Sequence, residues 1–148
     1  MIKQVTITVN SDFELVQAKN SCQLLLDQEH SIIKISWKGK VGAETASFLL
    51  SKALNIIKEG DASTLLLDRT YLDEFSKGAR MWIKEDFLTK RVKPISHLIE
   101  KIATVKPITP MGGIFSNLIS AAIKIVMPFM KMAEFRDEVD ACQWLVND

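Results

Sequence analysis

Histidine and cysteine are scarce in this chain, with two of each among 148 residues. Cys22 and Cys142 stand near opposite ends, without the close spacing of a thiolate metal site, and each sits in an apolar pattern where a thiol behaves as a small hydrophobe. Buried free thiols are the expectation, and neither a disulfide scaffold nor a metal cofactor is indicated. His30 falls in a turn between strand-like segments and His97 just before a later strand, so the histidines offer no catalytic pair. Charge of one sign is also lacking: 19 basic residues against 18 acidic ones leave a net charge of +1, which gives no electrostatic footprint for nucleic acid. No uninterrupted run reaches the roughly 20 apolar residues of a membrane span. The opening Met1-Ile2-Lys3-Gln4-Val5-Thr6 has neither the apolar core nor the small-residue cleavage site of a signal peptide, so a cytoplasmic protein is expected.

What the chain does contain is ordered alternation. Val5, Ile7 and Val9 alternate with polar residues, as do Leu24 and Leu26, then Ile33, Ile35 and Trp37, with turn-forming Asn10-Ser11-Asp12 and Glu29-His30-Ser31 between them. These predict an N-terminal antiparallel strand group. Phe13 to Lys19 fits alternation only in part and reads as either another strand or an irregular connection. After Gly39 the period lengthens: Ala43, Ala46, Leu50, Ala53, Leu54 and Ile57 form one face of a helix that Gly60 ends in a left-handed conformation.

Leu65, Leu66 and Leu67 form a continuous apolar run, the pattern of a central parallel strand covered on both faces. The strand is expected to end at Asp68, with a charged loop leading to a second helix that Ser76 caps and Pro94 limits. Ile102 to Val105 predict another strand, residues 114–127 a third helix ended by Pro128, and Met132 to Phe135 a last strand. Asp137 then caps a final helix. The fold class is therefore α/β, a single domain over residues 1–148 with a mixed, mostly parallel sheet. Residues 1–31 are read as an extension of a core at 32–148. No internal repeat, low-complexity run or linker interrupts it.

Several stretches in this order resemble the SpoIIAA-like branch of the STAS superfamily, the fold of anti-sigma-factor antagonists, which is also grouped with lipid-binding Sec14-type domains. They are Ile33-Lys34-Ile35-Ser36-Trp37-Lys38-Gly39-Lys40, Leu65-Leu66-Leu67-Asp68, Phe75-Ser76-Lys77-Gly78, Trp82-Ile83-Lys84-Glu85, Lys101-Ile102-Ala103-Thr104-Val105, and Glu134-Phe135 with Asp140-Ala141-Cys142-Gln143-Trp144-Leu145. The resemblance covers residues 32–147. It implies a regulatory module whose Ser76 occupies the position of a phosphorylated serine and Gly78 that of the glycine after it. Phe75 and Lys77 depart from the Asp-Ser-Ser-Gly pattern of that motif.

Two candidate sites emerge. The first is a phospho-switch or partner-binding edge of Asp68, Arg69, Tyr71, Asp73, Ser76 and Gly78, where acids, a base and a phenol gather near a helix N-terminus. Glu74 adds a further acid, but two carboxylates alone do not make a hydrolase. The second is the third helix, apolar around most of its circumference, with Phe115, Leu118, Ile119, Ala122, Val126 and Phe129 placed to meet an apolar ligand or a second subunit. Met111-Gly112-Gly113 before it lacks the glycine and lysine spacing of a nucleotide loop, and no serine stands in a Gly-x-Ser-x-Gly elbow. The sequence thus predicts a non-catalytic binding or regulatory module acting through a protein partner or as a homodimer. The alternative is a carrier or sensor of a lipid or other apolar small molecule in a groove under residues 114–130.

Overall fold

Among the described residues, strand order equals chain order. The computed structural model describes residues 13–108 and 120–147, which build a six-stranded sheet ordered β1 to β6. β1 (Glu14–Lys19) and β2 (Cys22–Asp27) form a hairpin whose two turn residues, Asn20 and Ser21, both have positive φ, as the right-handed twist of a two-residue hairpin requires. β3 (Ile32–Val41) pairs antiparallel with β2, and β4 (Thr64–Phe75), β5 (Lys101–Val105) and β6 (Lys131–Phe135) follow in parallel. The partly alternating segment at 13–19 is thus a strand. The expected strand at Val5 to Val9 lies outside the described residues.

Each parallel step needs a crossover. α1 (Ala43–Lys58) joins β3 to β4, α2 (Lys77–Trp82) begins the connection to β5, and α3 (residues 120–126) precedes β6. Crossovers of one hand taken always in the same direction deliver their helices to the same face of the sheet. Leu49, Leu50 and Leu54 of α1, Ile83 and Phe87 after α2, and Ile123 of α3 accordingly share one core with Ile33, Ile35, Trp37, Leu65 and Ile102. The opposite face is covered by α4 (Glu138–Val146), whose Ala141, Cys142 and Leu145 pack on Ile32, Leu66, Ala103 and Val105.

The helix ends follow the sequence closely. Gly60, at φ 84°, closes α1 with the paired bonds Gly60 N–H to Ile57 and Asp61 N–H to Ile56. Asp137 caps α4 by accepting the Asp140 N–H at 2.9 Å. The segment after α2 differs from expectation. It passes into a π-helical stretch, Ile83–Val92, and a 3-10 turn, Lys93–Leu98, so the rod continues through Pro94 rather than stopping before it. The buried residues there are Ile83, Phe87, Leu88 and Val92. A 3.6-residue period would turn Lys90 and Arg91 toward the core in place of Val92, and the wider i→i+5 turn avoids that. Arg91 instead lies over the Trp82 ring, 5.7 Å from its centroid.

Both cysteines are buried free thiols. Burial pushes the Cys142 thiol up to about 12, with the Glu138 carboxylate adding to the effect. Burial also raises Cys22, against a smaller lowering by its backbone bond to Lys38. The unfolded chain ionises these thiols near 9.0 and the native one only at higher pH, so the protonated thiols favour the native state below pH 9. Stability measured by urea denaturation is expected to fall as the pH rises from 9 toward 12, and the Cys142→Ala variant should lose less over that interval.

Candidate functional site

The residues expected to form a charged loop after Asp68 are strand instead, because β4 runs twelve residues to Phe75. Two register shifts against β3 make this possible, between Ser36 and Lys38 and between Gly39 and Lys40, each inserting an extra residue on the β4 side. Such bulges bend a strand and re-aim its side chains. The first is held by Asp68, whose Oδ1 accepts both the backbone N–H and the hydroxyl of Thr70 at 3.0 and 2.5 Å. Beyond it Leu72 and Phe75 return to the helix-covered core, where Phe75 meets Trp37 edge-on at 5.1 Å.

Alternation along β4 places Leu65, Leu67 and Arg69 on the helix-covered face. Arg69 is therefore buried, its side chain 4% exposed, under the helix layer. A guanidinium costs free energy to bury unless it is paired. Its Nη2 donates to Glu134 Oε2 at 2.6 Å and to Thr104 Oγ1 at 3.3 Å. Glu134 reaches in from the edge strand β6, and its other oxygen lies 3.5 Å from Lys106 Nζ.

Arg69 forms the polar end of an internal cavity of about 60 Å³ between sheet and helices. Trp37, Leu65, Leu67 and Ile102 form its floor. Its roof is Leu50 and Leu54 of α1, Ile83, Phe87, Leu88 and Val92 of the π-helical segment, and Ile123 of α3 with Met127 beyond it. Among the described residues, only Arg69, Thr104 and Ser120 break the apolar lining. Thr104 and Ser120 also line a neighbouring surface pocket of about 300 Å³, with Lys124, Ala133 and Glu134. The two spaces thus share a wall of hydroxyls, apolar within and charged outside.

The first group of sequence-predicted residues does not converge. Arg69 points into the helix layer, while Tyr71, 60% exposed, and Asp73 face solvent farther along the strand. Ser76 caps α2, accepting the Ala79 N–H at 3.1 Å. Gly78 has ordinary backbone angles, and a Cβ there would meet Ala43 and Ser76 at 3.7 and 3.9 Å. Of the second group, Phe115, Leu118 and Ile119 lie outside the described residues. Ala122 is buried against the core, Val126 is half-buried, and Phe129 is 96% exposed. Ala122 and Val126 line an open groove of about 450 Å³ between α3 and the α2 rod, with Met81, Lys84 and the exposed Ile125. Sequence reasoning missed Thr104, Ser120 and Glu134 as neighbours of Arg69. The alternation Leu65-Leu67-Arg69 carried the signal that Arg69 turns inward, and the pairing of Leu67 with Thr104 and of Thr104 with Glu134 brings the other two strands' residues alongside.

No protein-family model matches this sequence, and no curated protein is similar to it. Among solved structures, the chain is similar to an uncharacterized protein of the DUF3478 family with a SpoIIAA-like fold from Shewanella loihica PV-4. The TM-score is 0.52 at 20% identity, over 90% of this chain and 91% of that one. The anti-sigma factor antagonist SpoIIAA in its unphosphorylated form aligns at TM-score 0.47 and 12% identity, over 86% of this chain and 90% of that one. The α/β domain has a SpoIIAA-like fold, as the sequence motifs implied. No helix among the described residues is long and apolar enough to cross a membrane.

The cap geometry separates two roles for Ser76. Ser76→Ala should lower stability by about 1 kcal/mol, and Ser76→Asp, which also caps, should leave it nearly unchanged. Thermal unfolding of the two variants checks this, and equal destabilisation by both would show that the hydroxyl does more than cap.

Proposed function

We propose that this protein is a non-catalytic binding module that holds a small apolar molecule in the cavity between its sheet and its helix layer. The cavity carries the reading. Well-packed interiors leave few voids larger than a water, whereas binding sites combine an apolar lining with a small number of placed polar groups. About 60 Å³ of room, with apolar side chains on floor and roof and one guanidinium and two hydroxyls at one end, has that composition. The volume suits one slender apolar group and not the two chains of a phospholipid. The described polar residues there are Arg69, Thr104 and Ser120, a set suited to holding a ligand, so binding rather than bond chemistry is the use proposed.

A second reading rests on the outer surface of α3 and the turn that follows it. Ile125 and Phe129 are 81% and 96% exposed, and Ile125 borders the groove that also holds the half-exposed Met81. Adjacent exposed apolar side chains on a small domain mark interaction surfaces, and a second copy or a protein partner would cover them. The two readings are compatible, because α3 turns Ile123 into the cavity and Ile125 outward. Partner exchange on the outside and occupancy inside would then act on the same short helix. This is how a module of this fold would work as a regulator in the cytoplasm.

Titration with butan-1-ol, followed by methyl NMR, should shift Leu67, Ile102 and Ile123, and Leu67→Phe should abolish the shifts by filling the space while the rest of the spectrum persists. Unmoved cavity methyls in the unsubstituted protein would remove the first reading. Analytical ultracentrifugation of Ile125→Glu tests the second: a dimer converted to monomer supports it, and an unchanged mass removes self-association through this face.

A further inference from the structure

We infer that the cavity selects an anionic amphiphile, a monocarboxylate whose head takes the place of Glu134 on Arg69 while its tail enters the apolar space. This rests on the cavity reading and adds the chemistry of the head group. The polar end of the cavity is a fixed cation, since Arg69 is anchored on the central strand β4 and almost wholly buried. Its carboxylate partner is differently placed. Glu134 sits on edge strand β6, with its side chain 36% exposed, and it already shares its charge with a second cation, Lys106. Lys124 lines the same mouth. Among the described residues lining the mouth or paired there, three cations surround one carboxylate, and residues 109–119, which the structure does not describe, contain no ionisable side chain.

Charge complementarity therefore favours an anion over a neutral or cationic head. A carboxylate matches the planar donor fork of arginine, whose Nη2 now donates to Glu134 and to the Thr104 oxygen, and the Thr104 hydroxyl proton is placed to be donated to the incoming head. On arrival of the ligand, Glu134 keeps Lys106 as its partner and swings toward solvent, so no carboxylate is left buried and unpaired. Leu67 and, farther in, Ile102 line the apolar space with the arginine and receive the tail. Glu134 is thus an internal competitor for the Arg69 Nη2 when the site is empty.

Isothermal titration calorimetry with butanoate and butan-1-ol on the full chain tests this, using two probes of four carbons each, short enough for the space, that differ in head charge. Butanoate is expected to bind at least about tenfold more tightly than the alcohol, the ordinary worth of a hydrogen bond to a charged group, and to lose that margin as salt is raised. Glu134→Gln, which removes the competitor at a half-exposed position, should tighten butanoate several-fold and leave butan-1-ol unchanged. Equal binding of the two probes would overturn the anion inference and leave the apolar cavity standing. Weaker butanoate binding by Glu134→Gln would overturn the displacement of Glu134 by the ligand, and binding of neither probe would overturn the cavity reading itself.

Discussion

Everything in this fold depends on the direction of the crossovers. Three parallel steps are taken across the sheet, each one strand farther from β3, and none doubles back. The segments between them are therefore crowded onto one face, and α4 covers the other. Two helices and a long π-helical and 3-10 rod have to share the area above β3, β4 and β5. The space left where they meet is the cavity, and the charged residue that reaches it from the longest strand, β4, is Arg69. A doubly wound order would have divided the helices between the faces and removed that meeting point.

Much of this architecture was legible in the chain. Period-two and period-3.6 patterns located β2, β3, α1 and the strand at Ile102, and the caps at Gly60, Ser76 and Asp137 are where turn and cap chemistry put them. The stretch from Asp68 to Glu74 was misread because two bulges break its alternation: a two-residue period cannot be followed across an inserted residue whose partner lies on another strand. The rod after α2 was misread for a related reason. Ile83, Phe87, Leu88 and Val92 fit a helix wider than 3.6 residues per turn, and that period is not among the ones a sequence is ordinarily tested against.

The candidate site was legible in parts and not as a whole. Arg69 stood out as the base of its segment, yet nothing local links it to Thr104 or to Glu134, which lie 35 and 65 residues away. Those contacts exist because β4, β5 and β6 are paired in register, and register between parallel strands is a property of the assembled sheet. The helix that drew attention for being apolar on nearly every side resolves, over its described residues, into an inner and an outer surface. Ile123 belongs to the core and Ile125 to solvent. Apolar composition signalled that this helix has two audiences without distinguishing them.

Because strand order equals chain order, the sheet can assemble as a simple extension. Every strand joins the free edge left by its predecessor, and none has to be inserted between two strands already paired. The hairpin of β1 and β2 forms from adjacent residues, and each crossover then closes over its own connection, so loop-closure costs are met in small instalments. A chain emerging from the ribosome amino end first would find, at every length, a docking edge for the next strand and a partly covered apolar face behind it. Among the described elements α4 comes last, so the face that no crossover reaches is the last of them to be covered.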